Sequence, residues 1–129
     1  MADKKKILIA DDFQLLREDL TELINNQRDM EVVGTASSGK EIVNLARNTE
    51  YDLILMDIMM PVMNGLEATQ CIRFMDRKDA KEISIIAMTA NAFSDDVERS
   101  YEAGLNEHLA KPLDRNKLVA AILKAQVHK

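Results

Sequence analysis

The chain has 129 residues, with 17 Lys+Arg against 22 Asp+Glu and a formal net charge of −5, a length that suits one domain with a single core. Its 47% hydrophobic and 30% charged content excludes general disorder. The acidic balance argues against a duplex-binding domain, which carries a basic stripe, and apolar runs such as Ile83 to Ala90 are far too short to span a bilayer.

In chain order, Lys4, Lys5 and Lys6 read as a solvated tail rather than a binding patch. The first residues lack the apolar stretch and small-residue cleavage site of a secretory signal. Ile7-Leu8-Ile9 is the first strand-like run, followed by Asp11 and Asp12. Phe13, Leu16, Leu20, Leu23 and Ile24 then repeat at helical spacing. Val32 and Val33, with Met30 nearby, form a weaker second run, and Ser37 and Ser38 follow it. Ile42, Leu45 and Ala46 mark the second helix. Leu53 to Met56 is the third run and ends in Asp57. Ala68, Cys71, Ile72 and Met75 mark a third helix, which places Cys71 towards the core. Ile85 to Met88 is the fourth run and ends at Thr89. Ser94 is a plausible N-cap, Asp95 and Asp96 favour a first turn, and Gly104 suits a left-handed stop, so the spacing predicts a thinly apolar helix over Ser94 to Ala103. His108-Leu109-Ala110 is the fifth run, followed by Lys111-Pro112, and Leu118, Val119, Ile122 and Leu123 mark the last helix.

Strand runs that are apolar on both faces suit a buried parallel sheet. A βα unit repeated five times predicts an α/β fold, a doubly wound five-stranded parallel sheet with helices on both faces, in one domain over residues 1–129. The lone Cys71 can form neither an internal disulfide nor a zinc set. A reducing, cytoplasmic setting is the expectation.

In an open parallel sheet, ligands sit outside the carboxyl ends of the strands. There the chain delivers Asp11, Asp12, Asp57, Thr89 and Lys111. Clustered carboxylates repel one another unless cations intervene. Lys111 is one cation. A hard divalent ion, most naturally Mg2+, is the other, because it takes oxygen ligands and keeps waters for an incoming phosphate. Such a site suits phosphoryl transfer, in which positioning and charge neutralisation do most of the catalysis. Asp57, at the end of the central third strand, is the candidate nucleophile. Asp11 and Asp12 are candidate metal ligands, Lys111 a partner for phosphoryl oxygens, and Thr89 a hydroxyl donor.

Ala10-Asp11-Asp12, the stretch Leu55 to Gly65 around Asp57, Ala87-Met88-Thr89-Ala90 and Lys111-Pro112-Leu113 together resemble the CheY-like receiver domain of two-component response regulators, over essentially the whole chain. The resemblance implies a flavodoxin-like strand order 2-1-3-4-5. It implies that Asp57 accepts a phosphoryl group from a sensor histidine kinase or a histidine phosphotransfer protein. It also implies Mg2+ held by Asp12, Asp57 and the Met59 carbonyl with help from Asp11, a Thr89 that turns to the phosphoryl group, and a cis Lys111-Pro112 peptide. Met59 and Asn91 flank the acceptor and are expected to tune phosphate lifetime. Where the family usually has Tyr or Phe, three residues before the lysine, this chain has His108. The imidazole is flat enough to fill the slot and titrates near neutrality, so His108 either makes the switch pH-sensitive or weaker, or is a tolerated surface substitution.

Phosphorylation would move the Ser94 to Ala103 helix and the His108 strand. A downstream effector, or a second copy in a homodimer, would bind there and on the last helix. No direct nucleic-acid or membrane contact is expected. Lys129 follows the last helix directly, so a stand-alone receiver or a piece of a larger regulator is expected, with no output domain in this chain. One rival is a receiver-like interaction module that is never phosphorylated, but such modules usually lose one of the residues kept here. Another is a Mg2+-dependent phosphohydrolase, which would need an acid–base aspartate where this chain has Met59. A nucleotide-binding protein would need a Gly-rich loop where Asp11-Asp12-Phe13 stands.

Overall fold

Five strands, β1 (Lys5–Ala10), β2 (Met30–Ala36), β3 (Leu53–Asp57), β4 (Ser84–Thr89) and β5 (Glu107–Ala110), form one parallel sheet in the order β2-β1-β3-β4-β5. They alternate with α1 (Gln14–Asn25), α2 (Gly39–Asn48), α3 (Gly65–Arg73) and α4 (Arg115–Lys124) in a computed structural model that describes residues 4–60, 63–75, 82–89 and 104–125. The expected Ser94 to Ala103 helix lies outside the described residues, as do Pro61, Ala90 and Asn91.

The period of two along each strand sorts side chains onto two faces. Ile7, Ile9, Leu53, Leu55, Ile86 and Met88 pack against Leu20 and Ile24 of α1 and Leu118 and Ile122 of α4. Leu8, Ile54, Met56, Ile85 and Ala87 face the other way, onto Ile42 and Ala46 of α2 and Ala68 and Ile72 of α3. The register sets Ala10 beside Ala36 and Met56, Asp57 beside Met88, and Thr89 beside Ala110. The carboxyl ends of the strands therefore finish level, and the residues that follow them share one edge.

Local chemistry sets most helix starts. Ser38 accepts from the Glu41 N–H, Asn64 and Glu67 form a reciprocal capping box, and Asp114 accepts from the Asn116 N–H. Phe13 precedes α1 with no side-chain cap and is 57% exposed, so it is not part of the apolar stripe its spacing suggested.

Two residues depart from their expected surroundings. Lys5 is buried inside β1, not in a solvated tail. Its ammonium donates to the Ile122 carbonyl at 3.0 Å, near the carboxyl end of α4, where helix carbonyls lack internal partners. Cys71 is exposed. The buried stripe of α3 runs through Gly65, Ala68, Thr69 and Ile72, and each residue turns the helix by about 100°, which carries Cys71 off that stripe.

Arg73 ends α3 and ties it to the approach to β5. Its guanidinium donates to the Gly104 carbonyl at 2.7 and 3.0 Å, the Ile83 carbonyl at 2.7 Å and Asn106 Oδ1 at 2.8 Å. Asn106 Oδ1 also accepts from the Ile85 N–H at 2.8 Å. Gly104 makes its turn at φ +110°, where an L side chain is strained. Arg73→Met should lower unfolding free energy by about 3 kcal/mol, because partly buried carbonyls lose a charged donor. Urea unfolding measures this, and a loss no larger than that of an exposed α3 substitution such as Gln70→Ala would contradict it.

Candidate acidic phosphoryl site

Asp11 extends the β1 ladder by donating its N–H to the Ala36 carbonyl at 3.0 Å. Its side chain is fully buried. Oδ1 accepts from the Phe13 N–H at 2.9 Å and Oδ2 accepts from Lys111 Nζ at 3.0 Å. Asp57 ends β3, and the Ile58 N–H donates to the Met88 carbonyl at 3.1 Å. Asp57 Oδ1 accepts from the Met59 N–H at 3.1 Å, while Oδ2 stands 3.4 Å from Lys111 Nζ. Lys111 is placed by its own N–H, which donates to the Thr89 carbonyl at 2.8 Å, and the Lys111-Pro112 peptide is cis. Carboxylate oxygens of Asp11, Asp12 and Asp57 lie within 4.8 Å of one another, with Asp12 exposed and the other two buried. Thr89 is buried at the end of β4, one residue beyond the partner of Asp57.

The electrostatics follow from this crowding. Burial, and then the Asp11 carboxylate, push the Asp57 pKa up to about 6 from an ordinary 3.8, against the opposing pull of Lys111 and the Met59 N–H. Burial works against the Lys111 ammonium, but the Asp11 hydrogen bond and the Asp57 and Asp11 charges outweigh it and hold its pKa above the ordinary value. One lysine does not balance three carboxylates. All-oxygen donors with excess negative charge fit a hard divalent cation.

A raised carboxyl pKa has a definite sign in stability. The folded state holds the Asp57 proton more tightly than the unfolded state, so this contribution is fully present below about 3.8 and is lost as pH rises through about 6. In metal-free buffer, Asp57 alone should add about 1 kcal/mol between roughly pH 7 and pH 5. Burial depresses the His108 pKa, which acts in the opposite direction over the same window. The diagnostic is therefore wild type minus Asp57→Asn, in which His108 cancels. Thermal melts at the two pH values should show that difference, and parallel curves for the two proteins would refute it.

The expected site residues fall at one edge of the sheet, and Asp11, Asp12, Asp57 and Lys111 meet directly. The methionines divide. Met56 and Met60 are buried and Met63 packs against the core, but Met59 is 72% exposed. Two features were not read from spacing. Exposed Phe13 and Leu15 head a groove of about 600 Å³ that runs along α1 to Lys111, Pro112 and Leu113. Arg17 reaches back to the site from α1, its Nη1 donating to the Asp11 carbonyl at 2.7 Å. Leu15, apolar but out of phase with the α1 stripe, was the available signal for the first. The second had none.

Fold and site together define a class: a doubly wound parallel α/β domain with a carboxylate cluster and a lysine in the crevice at the carboxyl ends of its strands. The profile of the response regulator receiver domain matches residues 7–123, and the chain belongs to that family. It is 34% identical over 119 residues to the response regulator protein VraR of Staphylococcus aureus, covering 92% of this chain and 55% of that protein. The chain thus spans about half the length of the curated relatives it matches. Among solved structures it resembles the receiver domain of a sensor histidine kinase from Pseudomonas aeruginosa, which has a magnesium ion coordinated in its active site cleft. The TM-score there is 0.83 at 31% identity, covering 94% of this chain and 96% of that one. A CheX–CheY complex with BeF3 and Mg2+ from Borrelia burgdorferi gives a TM-score of 0.87 at 26% identity, over 97% of this chain and 91% of that one. Among the described residues no helix is long and apolar enough to cross a membrane.

Proposed function

We propose that this chain is a phosphorylation-controlled switch of a two-component system, with Asp57 as the acceptor. The observation that carries the reading is the pairing of buried Asp57 with Lys111 at 3.4 Å, beside a second buried carboxylate that Lys111 also holds. A carboxylate kept reactive in a water-poor pocket, with an ammonium aimed at the same point, suits attack on phosphorus. The phosphoryl group would pass from a donor imidazole nitrogen to an Asp57 oxygen. The P–N bond breaks, its electron pair returns to the imidazole, and a P–O bond forms.

Asp11, Asp12 and Asp57, with the Met59 carbonyl, would hold Mg2+. When bound, the ion supplies charge neutralisation and orientation for the phosphoryl oxygens. Lys111, freed from Asp57, pairs with a phosphoryl oxygen, and Thr89 donates its hydroxyl to another. The position two residues beyond Asp57 is the exposed Met59, which offers no acid–base group for turnover, so the domain at most promotes its own phosphorylation and dephosphorylation.

The donor would be a sensor histidine kinase or a histidine phosphotransfer protein in the cytoplasm. The groove headed by Phe13 and Leu15 opens beside Lys111 and suits an apolar helical surface carrying the phosphohistidine. Output would pass through β5, α4 and the segment Ser94 to Ala103 to an effector or a second copy. His108, level with Ala87, occupies the position of the family's aromatic residue, and burial favours its neutral form.

The test is intact mass after incubation with acetyl phosphate, with and without Mg2+. A Mg2+-dependent gain of one phosphoryl group supports the reading. No gain, in protein that binds Mg2+ calorimetrically, would replace it with a receiver-like interaction module.

A further inference from the structure

Resting on that metal-dependent reading, we propose that Arg17 is a positioning residue for the Mg2+ site and acts through the main chain of Asp11 and Asp12. Arg17 holds the β1–α1 turn through its side chain. Its main-chain N–H makes the ordinary first-turn helix bond to the Phe13 carbonyl at 3.1 Å, and its guanidinium donates to the Asp11 carbonyl at 2.7 Å. Asp11 is thereby held at all four of its polar groups: N–H by Ala36, carbonyl by Arg17, and the two carboxylate oxygens by Phe13 and Lys111. Asp12 is different. It is exposed, and among the described residues no hydrogen bond reaches its carboxylate. Its side-chain torsions have no partner among these residues, so the backbone position from which it reaches is set by the peptide plane that joins it to Asp11. The Arg17 tether holds the carbonyl of that plane, and so holds the backbone from which the Asp12 carboxylate reaches towards Asp57.

This role can be told from that of a nearby cation by sign. A positive charge beside a cation site repels the cation, so removing a mere charge would tighten Mg2+ binding. Removing a tether loosens the ligand set and weakens binding, by about tenfold or more for a residue that holds a ligand in place without touching the metal.

The experiment is calorimetric titration of the full chain with MgCl2, for wild type, Arg17→Met and Arg17→Lys, beside the Mg2+ dependence of acetyl phosphate uptake. Arg17→Met should weaken Mg2+ binding about tenfold. It should raise the Mg2+ concentration for half-maximal uptake in step, with the rate at saturating Mg2+ close to wild type. Arg17→Lys keeps a charged donor and should recover most of the affinity. Unchanged or tighter Mg2+ binding in Arg17→Met overturns the proposal while leaving the phospho-acceptor reading intact. Wild-type protein that binds no Mg2+ would sink both. If Arg17→Met gives no cooperative thermal transition, Arg17→Gln, neutral with a shorter donor, takes its place: weaker Mg2+ binding supports the tether, and unchanged or tighter binding overturns it.

Discussion

Asp57→Asn is expected to take up no phosphoryl group from acetyl phosphate at any Mg2+ concentration, and to melt higher than the wild type in metal-free buffer near neutral pH. The loss is chemical: an amide has no anionic oxygen with which to attack phosphorus. The gain in stability comes from the same crowding that makes the site. At neutral pH the wild type holds an ionised Asp57 that is 4% exposed and stands near the Asp11 carboxylate, with Lys111 and the Met59 N–H in opposition. A neutral amide of nearly the same size removes that repulsion and should stabilise the fold by about 2 kcal/mol. Mg2+ should then raise the wild-type melting temperature by mass action and move the variant far less. Differential scanning calorimetry with and without Mg2+ reads both effects. A variant that melts lower than wild type in both buffers would mean that Asp57 serves a packing role the electrostatics do not describe.

Gly65→Ala should be strongly damaging beside the site. Gly65 begins α3 where the chain turns back against the end of β3, and its N–H donates to the Ile58 carbonyl at 2.9 Å. A Cβ there would sit 2.5 Å from the Asp57 carbonyl oxygen and 2.9 Å from Ile58 Cα. Both neighbours are backbone, so no side-chain rotation relieves the clash. Alanine's better helix propensity, about 1 kcal/mol, is outweighed, and the net loss should be about 2 kcal/mol or more. The backbone that must give way carries Asp57, so uptake of the phosphoryl group should slow by about tenfold to a hundredfold at saturating Mg2+. Gly34→Ala is the matched contrast. Its added Cβ meets Leu8 Cδ2 at 2.9 Å, the far end of a flexible side chain, and the variant should fall within about 1 kcal/mol of wild type. Urea unfolding of the pair, with acetyl phosphate kinetics, checks the argument. Equal stability of the two variants would contradict it.

Much of this protein was legible in one dimension. Apolar runs such as Leu53 to Met56, uninterrupted by polar residues, report strands buried on both faces, and helical spacing in α1 and α4 reports the layers that cover them. Asp11, Asp12, Asp57, Thr89 and Lys111 announce themselves because each directly follows or ends a strand run, and parallel strands finish at one edge. Lys5, Cys71, Arg73 and Arg17 were not legible in that way. The Ile122 carbonyl that Lys5 meets lies 117 residues away, and the Gly104 carbonyl that Arg73 meets lies 31 residues away. Cys71 and Ile72 are neighbours in sequence, but only the rotation of α3 against the sheet decides which of them is buried. Arg17 meets a backbone carbonyl, a partner that no residue type advertises. Periodicity and polarity are local properties, so the sequence by itself determined the elements, their layers and the edge where the chemistry gathers. Which donor meets which acceptor depends on how helices rotate and approach once packed, and that was decided only in the tertiary structure.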